Sequence, residues 1–214
     1  MGIVTMRMPG RMLGLAMAGL LSLAATPSVA TTLFVFGDSL VDTGNADAAL
    51  RGQGQPTRTP ASSGYFQNRF SNGYNFADVL SMNLGQGPSQ AFGYPVAPFT
   101  YFYNGPNFSY GGAQTRDEGH GTPGHSPSFQ DQLALFAASG KTIGADDYVL
   151  VTFGGNDIQQ ELLKKIANPN YTPDFTATDT ALRNGLAALV GAGARNIVVT
   201  GQAVAQRGVG GGEV

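Results

Sequence analysis

Four short apolar runs, three of them stopping at a glycine, constrain the fold of this chain more than any other feature. Leu33-Phe34-Val35-Phe36 ends at Gly37, Phe108-Ser109-Tyr110 ends at Gly111-Gly112, and Tyr148-Val149-Leu150-Val151-Thr152-Phe153 ends at Gly154-Gly155. The fourth is Asn196-Ile197-Val198-Val199-Thr200. Apolar runs without polar alternation suit strands buried on both faces, as in a parallel sheet between layers of helix. Helical spacing fills the intervals. Phe76, Val79 and Leu80 share one face of a helix predicted over residues 74–84, and Phe129, Leu133 and Phe136 do so in one from about 127 to the stop at Gly140. A third helix runs from Asn156 to about residue 167. A fourth spans 178–190, with Leu182, Leu186, Leu189 and Val190 on one face. Strands alternating with helices in this order predict an α/β domain, a doubly wound parallel sheet with flanking helices.

Two stretches break the alternation. Residues 44–73 are rich in Gly, Gln, Ser, Pro and Asn and read as a long surface loop. Residues 85–105 are irregular but aromatic, with Phe92, Tyr94, Phe99, Tyr101, Phe102 and Tyr103, and read as a packed loop in preference to a ligand platform. No repeat of fixed period occurs.

The first thirty residues differ in kind. Arg7 and Arg11 precede a mostly apolar stretch, and Pro27-Ser28-Val29-Ala30 supplies small residues at a cleavage position. Residues 1–30 therefore read as a signal peptide of an exported protein, secreted or periplasmic. The apolar stretch is shorter than the roughly 20 residues that span hydrocarbon, so no membrane span is expected once it is removed. Residues 31–201 form the predicted domain, and 202–214 an atypical glycine-rich tail. A net charge of −2 with no charge run gives no footprint for nucleic acid. The absence of cysteine removes thiolate nucleophiles and thiolate metal sites. His120 and His125 lack a third ligand of clear spacing, so neither a metal nor another cofactor is expected.

In a parallel sheet the three glycine turns lie along one edge, where open α/β sheets carry their sites. Ser39, the N–H groups of Gly111-Gly112 and the amide of Asn156 would converge there. A hydroxyl with preorganised donors is the equipment of acyl transfer. Taken singly, each feature also fits a bland role: Ser39 or Asn156 as helix caps, the glycine pair as a turn. Asp38 and Asp157 read as turn and capping residues.

Together these blocks resemble the GDSL, or SGNH, esterase and lipase family. Gly37-Asp38-Ser39-Leu40-Val41-Asp42-Thr43-Gly44-Asn45 is similar to its first block, Asn107-Phe108-Ser109-Tyr110-Gly111-Gly112-Ala113 to its second, and Phe153-Gly154-Gly155-Asn156-Asp157 to its third. The resemblance implies a three-layer SGNH-hydrolase-like fold and hydrolysis of carboxylic esters, of lipids or short acyl chains, through an acyl-enzyme. It implies Ser39 as nucleophile and as one oxyanion donor. Gly112 is implied as the second donor, with Gly111 as the alternative if the register shifts by one, and Asn156 as the third.

The family's base is a histidine in an Asp-x-x-His block near the C-terminus, and no such block follows Thr200 here. A domain lacking its C-terminal part is therefore expected. His120 and His125 are expected to be loop or cleft-lining residues without a catalytic role. A non-catalytic fragment, or a carbohydrate acetyl esterase or binding module using the aromatic loop, are the alternatives.

Overall fold

The computed structural model describes residues 31–96, 99–100, 103–117 and 126–200. The expected leader, the expected tail and both histidines lie outside these residues. Among the described residues no helix is long and apolar enough to cross a membrane.

The main sheet has the order β1 (Leu33–Gly37), β4 (Tyr148–Thr152), β5 (Asn196–Thr200), all parallel. Residues 106–110 flank the free side of β1, where the second strand was expected. They are not a regular strand: Asn107 forms an isolated parallel bridge to Val35. Hydrogen bonds from Val35 N–H to Pro106 O, Phe108 N–H to Val35 O and Tyr110 N–H to Gly37 O nevertheless keep the segment parallel to β1. Its glycine turn thereby reaches the same edge as the others. A short antiparallel pair, β2 (Pro95–Val96) and β3 (Phe99–Thr100), lies in the aromatic region.

Helices cover both faces. On one, Phe129 and Phe136 of α3 (Phe129–Ala138) pack edge-on or tilted against Phe34 and Phe36 of β1. Leu182, Leu186 and Leu189 of α5 (Thr176–Gly191) join the same cluster. On the other face Leu33, Val35 and Leu150 pack with Val41 and with Ala77 and Leu80 of α2 (Phe76–Asn83). The chain is thus an α/β protein with a parallel sheet between helical layers.

Three helix readings need correction. Residues 44–73 are not all loop: they contain α1 (Asn45–Gly52) and a single 3₁₀ turn at Ala61–Ser63. The buried face of α1 carries Asn45, Ala46, Ala48 and Ala49, too small or too polar to give an apolar period. In α2 the inward residues are Ala77, Asp78 and Ser81, whereas Phe76 and Val79 are exposed. The reason is Asp78. It closes a capping box with Asn75 and takes a bidentate pair from Arg69, Nε to Oδ2 at 2.7 Å and Nη2 to Oδ1 at 2.8 Å. Burying that charge-assisted pair fixes the helix's rotation against its apolar pattern. In α5 Val190 points outward, 50% exposed.

Among the aromatic residues, Phe92 and Tyr94 are core, Phe92 stacking on Phe108. That part of the region is a packed loop, as expected. Tyr103 is exposed.

Candidate active site

Gly37 ends β1 beneath the first turn, and a buried side chain from a distant helix holds it. Gln132 of α3 accepts the Gly37 N–H on Oε1 at 2.8 Å and returns Nε2 to the Gly37 carbonyl at 2.8 Å. An amide side chain here completes the backbone bonding of the last strand residue, which otherwise carries an unmet donor. Asp38 continues the chain by donating its N–H to Thr152 O at the end of β4. Its carboxylate accepts the Leu40 N–H at 3.0 Å, the turn role expected for it. Burial, reinforced by Asp157, pushes the Asp38 carboxyl up to about 6, against the effect of that hydrogen bond.

Ser39 sits at the apex of this turn, between buried Asp38 and Leu40, which is 61% exposed. Val41 and Asp42 N–H both donate to Asp38 O, so the turn folds back at once into α1. Neither the hydroxyl nor the N–H of Ser39 has a hydrogen-bond partner among the described residues.

Asp42 ties the first block to the second. It is fully buried, and Oδ1 accepts the N–H groups of Gly44 and Asn45 at 2.8 and 2.7 Å while Oδ2 accepts those of Ala46 and Gly111 at 3.1 and 2.8 Å. Desolvation outweighs these bonds and raises its carboxyl to about 6, so it is ionised at neutral pH. Asn45 adds a second tie: its Nδ2 donates to the carbonyls of Asn107 and Ser109 at 2.9 and 2.8 Å. Neither role carries a periodic signal in the sequence. The polar residues spaced after Ser39 were visible, but their partners lie more than sixty residues away.

The two glycines of the second block are consequently different. The Gly111 N–H is spent on Asp42, and a Cβ at Gly111 would lie 2.3 Å from the Phe70 ring. Gly112 has φ of 87°, a left-handed conformation that glycine adopts without penalty, and is exposed. Its N–H has no acceptor among the described residues.

The third block begins α4 (Gly155–Ala167), with Gly154 and not Asn156 in the capping position. Asn156 Nδ2 donates to Ala113 O at 2.7 Å, which uses one of its two N–H bonds and leans the amide toward the second block. Asp157 is the stronger link. It is buried, and its carboxylate takes Thr115 N–H at 2.9 Å, Thr115 Oγ1 at 3.1 Å and Thr178 Oγ1 at 3.0 Å. It is a cross-brace between the segment after the second block, α4 and α5, in place of the capping role expected of it, since none of these bonds goes to an N–H of α4. One turn on, Glu161 collects Arg116, Lys164, Tyr171 and the Asp174 N–H. Burial would raise its carboxyl, but these hydrogen bonds prevail and hold it well below the usual range.

Ser39, Gly112 and Asn156 thus stand at the carboxyl ends of three parallel segments whose turns are braced to one another by Asp42, Asn45 and Asn156. Among the described residues no group of His, Cys, Asp and Glu could hold a metal ion. The sequence Asp117-Glu118-Gly119-His120 has Asp-x-x-His spacing, a match that the reading from the C-terminal end missed. It falls between the second and third blocks.

A model of the GDSL-like lipase/acylhydrolase family matches residues 33–208. The chain is also similar to curated GDSL esterase/lipases of Arabidopsis thaliana. One is 29% identical over 202 residues, covering 79% of this chain and 51% of the relative. A second is 28% identical over 199 residues, covering 81% and 53%. A third is 31% identical over 146 residues, covering 58% and 39%. The chain spans about half the length of the first two.

Proposed function

The chain belongs to the GDSL-like lipase/acylhydrolase family, and from that premise we propose that it hydrolyses carboxylic esters, of lipids or short acyl chains, with Ser39 as nucleophile. Ser39 Oγ attacks the ester carbonyl carbon as a base takes its proton. The carbonyl oxygen becomes an oxyanion, the bond to the alcohol oxygen breaks, and the alcohol leaves with that proton. Water then attacks the acyl-Ser39 ester and releases the acid. The oxyanion receives the N–H groups of Ser39 and Gly112 and the second N–H of the Asn156 amide.

The observation that carries this reading is the division of labour in the glycine pair. Asp42 takes the Gly111 N–H, that of Gly112 has no acceptor among the described residues, and the Asn156 amide is held by the carbonyl of the next residue, Ala113. This favours Gly112 over Gly111 as the donor. Preorganised donors of this kind are worth about 2.7–4 kcal/mol each in the transition state.

Hydrolysis of short-chain aryl esters by the purified chain tests the proposal. Ser39→Ala should abolish it, and Asn156→Ala should lower kcat by roughly 10²–10³. Equal acid release by wild type and Ser39→Ala would overturn the assignment. His120→Ala and His125→Ala, assayed alongside, identify the base if either falls as far as Ser39→Ala. The proposal includes export directed by residues 1–30, with residues 31–201 as the catalytic domain. An N-terminus at Thr31 in the exported protein is the expected result, and retention of Met1 would oppose it.

A further inference from the structure

The second block reverses direction in a β-turn, Tyr110-Gly111-Gly112-Ala113, closed by the Ala113 N–H donating to Tyr110 O at 3.0 Å. Gly112, at the third position, has φ of 87° while Gly111 is not left-handed, the pattern of a type II turn. Types I and II share the closing bond and differ by a flip of the central peptide, here Gly111–Gly112. That peptide carries the Gly111 carbonyl and the Gly112 N–H, which point in opposite directions because the bond is planar and trans. Its orientation therefore decides where the Gly112 N–H aims. Glycine at the third position is compatible with either type, so residue identity does not choose between them.

The neighbouring bonds do not choose either. The Gly111 N–H held by Asp42 and the Ala113 carbonyl held by Asn156 belong to other peptides. Among the described residues the central peptide has a single bond: Ser126 Oγ donates to Gly111 O at 2.9 Å. A Cβ on Gly112 would lie 2.7 Å from that Oγ, so the hydroxyl comes this close only because the position is glycine. Pro127 biases Ser126 to extended backbone, and the residues that follow are anchored. Gln132 Nε2 bonds both Pro127 O at 3.3 Å and Gly37 O at 2.8 Å, and the Phe129 N–H donates to Gln114 O at 3.1 Å. One segment thus ties the turn that carries Ser39 to the turn that carries Gly112. We propose that Ser126 is a positioning residue for ester hydrolysis: its hydroxyl holds the Gly111–Gly112 peptide in the type II orientation and so aims the Gly112 N–H at the oxyanion. Donation to Gly111 O also polarises the amide and strengthens its N–H as a donor. The inference rests on the reaction proposed above.

NMR of the full chain labelled at glycine, with kinetics on short-chain aryl esters, tests it. In wild type the Gly112 N–H should show a strong NOE to the Gly111 Hα, as a type II turn requires. Ser126→Ala should lose part of it and gain the NOE between the Gly111 and Gly112 N–H groups that marks a type I turn. Its kcat should fall roughly twofold to tenfold, the population change that one neutral hydrogen bond supports. KM should stay within about twofold, because an oxyanion donor acts in the transition state and not in substrate binding. Ser126→Thr keeps a hydroxyl and should recover most of the lost kcat. Unchanged NOEs or unchanged kcat in Ser126→Ala, a loss confined to KM, or no recovery in Ser126→Thr would each overturn the role of Ser126, while an inactive Ser39→Ala keeps the nucleophile in place. Equal activity of wild type and Ser39→Ala would remove the reaction itself, and this inference with it.

Discussion

β1 and β5 are both five-residue, mostly apolar strands paired in parallel to β4, yet every residue of β1 is buried and none of β5 is. β1 is bonded on both edges and covered on one face by α3 and on the other by α2. β5 is bonded only to β4 among the described residues, and Val198 and Val199 are 36% and 49% exposed. α4 likewise exposes Leu162, Leu163 and Ile166. An apolar run thus specifies a strand but not its burial, which depends on what packs over it. The braced turns of the candidate site hang from the covered half, where the backbone has least freedom to move.

The largest expected difference is in stability. Phe36→Ala removes a fully buried ring that contacts Phe108, Phe129 and Phe136, and should cost about 3–5 kcal/mol. Val199→Ala on β5 should cost under about 1 kcal/mol. Urea midpoints at constant m-value measure both. Equal losses would erase the contrast between the strands.

Buried carboxylates sharpen the contrast through pH. Asp42, near β1, has a folded carboxyl raised from 3.8 to about 6, so the fold favours its neutral form. Stability from that source is full below about pH 4 and is lost as pH rises through about 6, by roughly 3 kcal/mol. Glu161, on α4, is shifted the opposite way: its contribution is present above its ordinary value of 4.5 and is lost as pH falls. The stability advantage of wild type over Asp42→Asn should therefore shrink between pH 4 and 7, while its advantage over Glu161→Gln grows. Parallel profiles would show that the two sites do not differ in sign.

The sequence made the covered half legible where residue type and location agree. The uninterrupted runs became β1 and β4, and Phe129 and Phe136 became the inner face of α3. The three blocks fell on one sheet edge because parallel strands leave no other arrangement. What escaped was polar and long-range. Asp78 turned α2 against its apolar face, and α1 was hidden by small residues and by Asp42, whose bond to Gly111 spans the first two blocks. Gln132 reads as an ordinary helix residue until its two bonds to Gly37 are seen. In each case the partner was chosen by folding, not by spacing.

Glycines offer a smaller test. A Cβ at Gly111 would meet the Phe70 ring at 2.3 Å, so Gly111→Ala should cost about 1–3 kcal/mol as the loop is forced outward. At Gly191, the end of α5, a Cβ meets nothing within 4 Å among the described residues. Gly191→Ala should be neutral or gain up to about 1 kcal/mol, by restricting the unfolded chain. Destabilisation at Gly191 matching that at Gly111 would mean the α5 end is as tightly enclosed as the second block.

The smallest effect is expected on α4. Ile166 is 68% exposed, and exchanging it for glutamine removes little buried area, so Ile166→Gln should change stability by no more than about 0.5 kcal/mol. Glutamine also keeps nearly the same helix propensity, so the backbone term does not mask the result. A loss above about 1 kcal/mol would show that Ile166 is covered in solution. Cover by a second copy of the chain would make the wild-type Tm rise with protein concentration and that of Ile166→Gln rise less. A concentration-independent Tm in both proteins, with the small effect expected, leaves Ile166 on an uncovered helix face, the opposite of the enclosed residues of β1.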